Sequence, residues 1–199
     1  MRRHGGLLAA LSGLGLAAAS LAACPAEEKV PGELIGTFQF EVALKQDGCG
    51  YQQPTSRNPY SLGGRTGDPE PFAASLSLDP EANRFYLTSG ATQLEGTLLD
   101  GGRTFEVRGD AKRRLPAPCS CNGTITERIE GSMFGEAQVA AGGCKAPAVE
   151  GGGPLLGDGG TEVRLACGFL VDEMSANDAD AGCSCPPCLV VYEIAGARQ

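Results

Sequence analysis

Period-two alternation dominates this chain from residue 34 onward. Leu34, Gly36, Phe38, Phe40, Val42 and Leu44 share one parity, and Ile35, Thr37, Gln39, Glu41 and Ala43 share the other. Successive strand side chains point to opposite faces, so this run, rich in aromatic and β-branched types, predicts a half-buried first strand. Phe72, Ala74, Leu76 and Leu78 repeat the pattern, and residues 79–83 predict the turn that follows. Further strands are expected over 84–88, with Phe85 and Leu87 inward, and over 93–99, with Leu94, Gly96 and Leu98 inward. Asp100-Gly101-Gly102 then predicts a hairpin into 104–108, where Phe105 and Val107 face in. Residues 122–130 read as a strand around Ile125 and Ile129, with 132–139 as its hairpin partner. Val163, Leu165, Cys167, Phe169 and Val171 alternate through a penultimate strand, and 189–195 form the last. Eight or nine short strands without a helix predict an all-β fold, a single antiparallel β-barrel or sandwich of about eight strands. The meander over 72–108 favours the barrel.

The intervals between these runs are of another kind. Residues 45–71 predict a long loop with Cys49 as a pin near its start, and long loops are uncommon unless functional or pinned. Lys112-Arg113-Arg114 opens a basic, proline-marked loop. Residues 140–160 are rich in Gly, Ala and Pro and predict a flexible excursion with Cys144 as its anchor, and 172–180 predict an acidic loop.

The first 24 residues obey a different rule. Arg2 and Arg3 precede 17 uncharged residues, Gly5 to Leu21, and the stretch closes on Leu21-Ala22-Ala23-Cys24. That is the order of a secretory signal. The apolar run falls short of the roughly 20 residues a spanning helix needs, and Gly5, Gly6, Gly13 and Gly15 weaken it as a helix. The Leu21–Cys24 stretch resembles the lipobox of bacterial lipoproteins. The resemblance implies a signal peptide over 1–23 and a Cys24 acylated with palmitate-type chains, through which the membrane becomes the partner. It also implies a cell-envelope location, with Pro25 pointing to the outer membrane because inner-membrane lipoproteins of some bacteria carry aspartate there. Residues 24–33 would form a lipidated tether and 34–199 the exported β-rich domain. The long first strand, opening on Gly36-Thr37-Phe38 ahead of antiparallel strands, is similar to the lipocalins, which implies an up-and-down barrel.

Nine cysteines change the picture further. With Cys24 assigned to lipid, Cys49, Cys119, Cys121, Cys144, Cys167, Cys183, Cys185 and Cys188 form an even set in an exported domain and predict up to four disulfides. The C-x-C pair Cys119 and Cys121 is too close for an unstrained bond, so each should find a distant partner. Cys185-Pro186-Pro187-Cys188 has the spacing of a redox dithiol. That motif opens a helix in a βαβ setting, whereas here it precedes a strand beside Cys183, so a scaffold role is expected. The same context disfavours a thiolate zinc site built from Cys119, Cys121, Cys183, Cys185 and Cys188, and no metal or cofactor is expected.

The only histidine, His4, lies in the signal, which removes histidine triads, Cys–His pairs and histidine-ligated metals from the mature domain. Asp172, Glu173, Asn177, Asp178 and Asp180 could offer oxygens to calcium but lack the glycine and terminal glutamate of an EF-hand loop. Glu95, Glu106, Glu127 and Glu130 are the carboxylates from which a hydrolytic pair could be drawn, and Glu127 interrupts the Ile125/Ile129 face as a candidate inward charge. Removing Arg2 and Arg3 takes the formal charge from −8 to −10, which disfavours nucleic acid as a partner. With no catalytic constellation, the expectation is a non-catalytic binding or structural module that takes a small-molecule or protein ligand through its loops or barrel mouth. The alternative is an exported enzyme, either a thiol-disulfide oxidoreductase using Cys185 and Cys188 or a carboxylate-based hydrolase.

Overall fold

Each long strand of this chain hydrogen-bonds to the next long strand, and the last returns to the first. A computed structural model describes residues 30–49, 64–65, 68–115, 119, 121–150, 156, 162–176 and 185–199, and the account is confined to them. β1 (Glu33–Asp47) is followed by a two-residue ribbon outside the barrel, β2 (Gly64–Arg65) with β3 (Asp68–Pro69). Then come β4 (Phe72–Asp79), β5 (Arg84–Ser89), β6 (Thr92–Leu99), β7 (Thr104–Arg114), β8 (Asn122–Phe134), β9 (Leu165–Ala176) and β10 (Cys188–Arg198). The eight long strands close as an antiparallel up-and-down barrel, with β1 bonded to both β4 and β10. Closure leaves no strand edge unpaired.

The turns follow their residues. Asp79 Oδ1 accepts from the backbone N–H groups of Glu81 and Ala82 at 3.1 and 3.0 Å, and Asn83 takes φ +51° before β5. Asp100, Gly101 and Gly102 hold φ of +48°, +64° and +87°, a left-handed run that two glycines make tolerable.

Eight strands enclose a space that side chains alone can fill, and here they do. Phe38, Phe40, Leu76, Phe85, Leu87 and Tyr192 are so covered that water touches none of them. Phe40 stacks on Phe72 with centroids 4.9 Å apart, and Phe85 meets Phe105 at 5.0 Å. Inward glycines make room for these rings. A Cβ on Gly196 would lie 2.5 Å from the Phe40 ring, and one on Gly131 2.6 Å from Phe105. Outward positions carry ion pairs such as Arg84–Glu95 and Arg108–Asp110. An apolar interior under a charged exterior is the reverse of a membrane-spanning barrel.

Several strands depart from expectation, each for a local reason. Register shifts in β1 between Leu34 and Gly36 and between Leu44 and Gln46 break the alternation at both ends. Leu34, beyond the first shift, is 60% exposed, and Leu44, the last residue before the second, is 38% exposed, while Phe38 and Phe40 stay inside. β7 continues through Lys112 to Arg114, where a loop was expected, because Gly109 and Ala111 still occupy ladder positions opposite Glu127 and Ile125. β8 runs unbroken to Phe134, so 132–139 is no hairpin partner; its latter part forms helix α1 (Glu136–Ala140). β9 extends to Ala176, which makes the start of the acidic stretch strand rather than loop.

Disulfides staple both ends. Cys49–Cys188 and Cys119–Cys185 close the end where β1 finishes and β10 begins, with Cα separations of 5.1 and 5.7 Å. Cys144–Cys167, at 5.6 Å, ties the segment after α1 to β9. Cys121 is also disulfide-bonded, and the two cysteines of the C-x-C pair thus do not bond to each other. Cys24, Cys183 and most of the 45–71 stretch lie outside the described residues.

Candidate functional site

The barrel interior changes character toward its Cys188 end. Glu127 on β8 and Asp172 on β9 are register partners, and both are buried. Glu127 is indeed an inward charge. Glu95, Glu106 and Glu130 all lie on the outer surface, so Glu127 faces Asp172 and none of those three. Asp172 points in while its neighbour Glu173 points out, as strand alternation requires, so the two cannot share a calcium ion. Asn177, Asp178 and Asp180 lie outside the described residues. Among the described residues no group of three or more His, Cys, Asp or Glu could hold a metal ion.

Tyr192 stands in the same region, and its phenol is pushed up from the ordinary 10.0, first by burial and then by the negative charges of Asp172, Asp47 and Glu127. Its hydroxyl makes no hydrogen bond among the described residues. The folded protein therefore keeps this proton while the unfolded chain releases it above pH 10. That contribution to stability is complete below pH 10 and is lost as pH rises beyond it. Tyr192→Phe should remove part of this alkaline loss yet leave neutral-pH stability nearly unchanged, since an unbonded buried hydroxyl adds nothing. Denaturation midpoints at neutral pH and above pH 10 check both halves.

Cys185 and Cys188 occupy separate disulfides, to Cys119 and Cys49 respectively. The C-x-x-C spacing here joins two clamps and does not form a dithiol bonded across its own two residues.

The concave surface lies elsewhere, on the outer wall near the Glu33 end. After β8 the chain turns through α1 and a short 3-10 turn, Gly143–Lys145, around a single buried side chain. Gln138 Nε2 donates to the carbonyls of Gly143, Ala146 and Pro147 at 2.9, 3.3 and 3.3 Å, and its Oε1 accepts from Val149 N–H at 2.9 Å. That hub, together with Cys144–Cys167, holds residues 136–149 as a wall, so the first half of the flexible excursion expected over 140–160 is fixed; 151–155 and 157–160 lie outside the described residues. Between this wall and the faces of β7–β10 runs an open groove of about 700 Å³.

The floor of the groove is one outward row across four strands. Glu106 is opposite Glu130, Glu130 opposite Phe169, and Phe169 opposite Glu193. Among the described residues no lysine or arginine lines it. No family model, curated protein or solved structure matches this chain. The site must therefore be read from its own chemistry: an aromatic ring, 49% exposed, flanked by carboxylates on a rigid floor. Alternation in β9 pointed away from this. The parity of Cys167, Phe169 and Val171 faces out, while Ala166, Leu170, Asp172 and Met174 face in. The signal was hidden because Gly168 and Asp172 interrupt the inward set, whereas Leu165, Cys167, Phe169 and Val171 are apolar without a break.

Proposed function

We propose that this chain is a non-catalytic, lipid-anchored module of the cell envelope that binds its ligand in the outer groove. The observation that carries the reading is the placement of the concave surface: the barrel interior is filled, and a disulfide-held wall builds a groove outside it. Anchoring rests on the lipobox at Leu21–Cys24. Residues 25–33 reach at most about 30 Å when extended, and β1 starts at the same end of the barrel as the groove. An acylated Cys24 would hold the groove close to the membrane surface, the outer membrane by the identity of Pro25. The paired cysteines support a scaffold role over the oxidoreductase alternative.

Intact mass of the mature protein from its own envelope, with thiols alkylated before reduction, tests this reading. The expected result is a chain beginning at an acylated Cys24 with no other cysteine alkylated. A mature chain without acyl mass would remove the anchor. Alkylation confined to Cys185 and Cys188 would put the oxidoreductase alternative ahead of this reading.

A further inference from the structure

We propose that the groove is a site for small organic cations, an ammonium or guanidinium group on an aliphatic stem, seated over Phe169 between Glu130 and Glu193. The proposal rests on the groove being the binding surface and adds the chemistry of what enters it. Neighbouring strands lie about 4.8 Å apart, so the flanking carboxylates stand one strand to either side of the ring. The face of an aromatic ring attracts a cation, and adjacent carboxylates add charge-assisted hydrogen bonds. Glu106 stands directly opposite Glu130, a like-charge cross-strand pair that adds negative potential at this edge of the floor. Glu130 and Glu193 are held from outside the groove by Arg128 and Lys45, whereas Glu106 makes no ion pair among the described residues. Leu99, Phe134, Ala146 and Ala148 offer apolar surface to the stem. The volume, about 700 Å³, is that of a small-molecule site. The wall is fixed before any ligand arrives, because Gln138 and the Cys144–Cys167 bond hold it, so little ordering accompanies binding.

Isothermal titration of the mature protein with agmatine, against uncharged pentanamide, tests the proposal. Agmatine is expected to bind at one site per chain, more weakly as salt rises, and pentanamide not at all. Phe169→Ala should weaken agmatine by about three- to thirtyfold, and the Glu106→Gln/Glu130→Gln pair by about tenfold or more. Glu41→Gln, an exposed position on β1 outside the groove, should leave it unchanged; all of these are surface changes that spare the core. Non-saturable heats, or binding indifferent to the Phe169 and glutamine variants, overturns the cation site. If agmatine fails while indole saturates the native protein and is lost in Phe169→Ala, the cation falls and the groove remains the binding surface. If neither binds, both readings fall.

Discussion

Phe40→Ala should destabilise the protein by about 3–5 kcal/mol, the range for truncating a buried phenylalanine. Phe40 sits where β1 closes the barrel against both β4 and β10, its ring stacked on Phe72 and pressed against the bare backbone of Gly196. Gly196 has no side chain to fall into the space, so the cavity would collapse poorly. Leu44→Ala is the matching control. Leu44 shares the parity of Phe40 but lies near the end of β1, 38% exposed, so its loss should cost about 1 kcal/mol or less. Guanidinium denaturation midpoints for the two variants separate the cases. Equal costs would mean that Phe40 is no more buried than Leu44 and that the closure is misplaced.

The second large effect comes from the clamp between the first and last strands. Cys49→Ser/Cys188→Ser removes a bond between residues 139 apart in sequence. By the chain-entropy account this releases about 4 kcal/mol, because Cys119–Cys185 lies within the loop and nearly halves it, while the entropy varies only with the logarithm of its length. Cys144→Ser/Cys167→Ser closes a much shorter span, 23 residues, and should cost about 3 kcal/mol. Its effect should concentrate in amide exchange across 136–149. The first pair should instead lower the global unfolding midpoint with no local signature at the groove. A reversal of that pattern would place the stabilising clamp at the wrong end of the barrel.

The barrel was legible wherever large side chains carry the alternation. Phe38 and Phe40 on β1, Phe85 and Leu87 on β5, and Phe105 and Val107 on β7 announced both strand and inward face, because period-two burial is what these residue types report. The signal failed where the inward residue is small. Gly109 and Ala111 on β7, and Ala166 and Gly168 on β9, share the inward face without looking apolar, since neighbouring strands leave no room for larger side chains: a Cβ on Gly109 would meet Leu94, and one on Gly168 the backbone of Glu130. Glu127 was legible as an inward charge because it broke an otherwise apolar face, but its register partner was not, as strand register is settled by tertiary pairing. The groove was almost invisible for the same reason. Glu106, Glu130, Phe169 and Glu193 form one row only after four strands have paired, and Gln138, read as part of a hairpin strand over 132–139, shows its role only through its four hydrogen bonds. Cys144 was legible as an anchor; that Cys167 is what it grips was not.

The central claim is that this barrel has no room for a ligand inside and presents its binding surface outside. Titration with a fluorescent apolar chain, parinaric acid, tests it most directly. The expected result is no saturable uptake by the native protein beyond what Phe169→Ala abolishes. One-to-one uptake that survives Phe169→Ala would place an apolar chamber within the barrel and contradict the account.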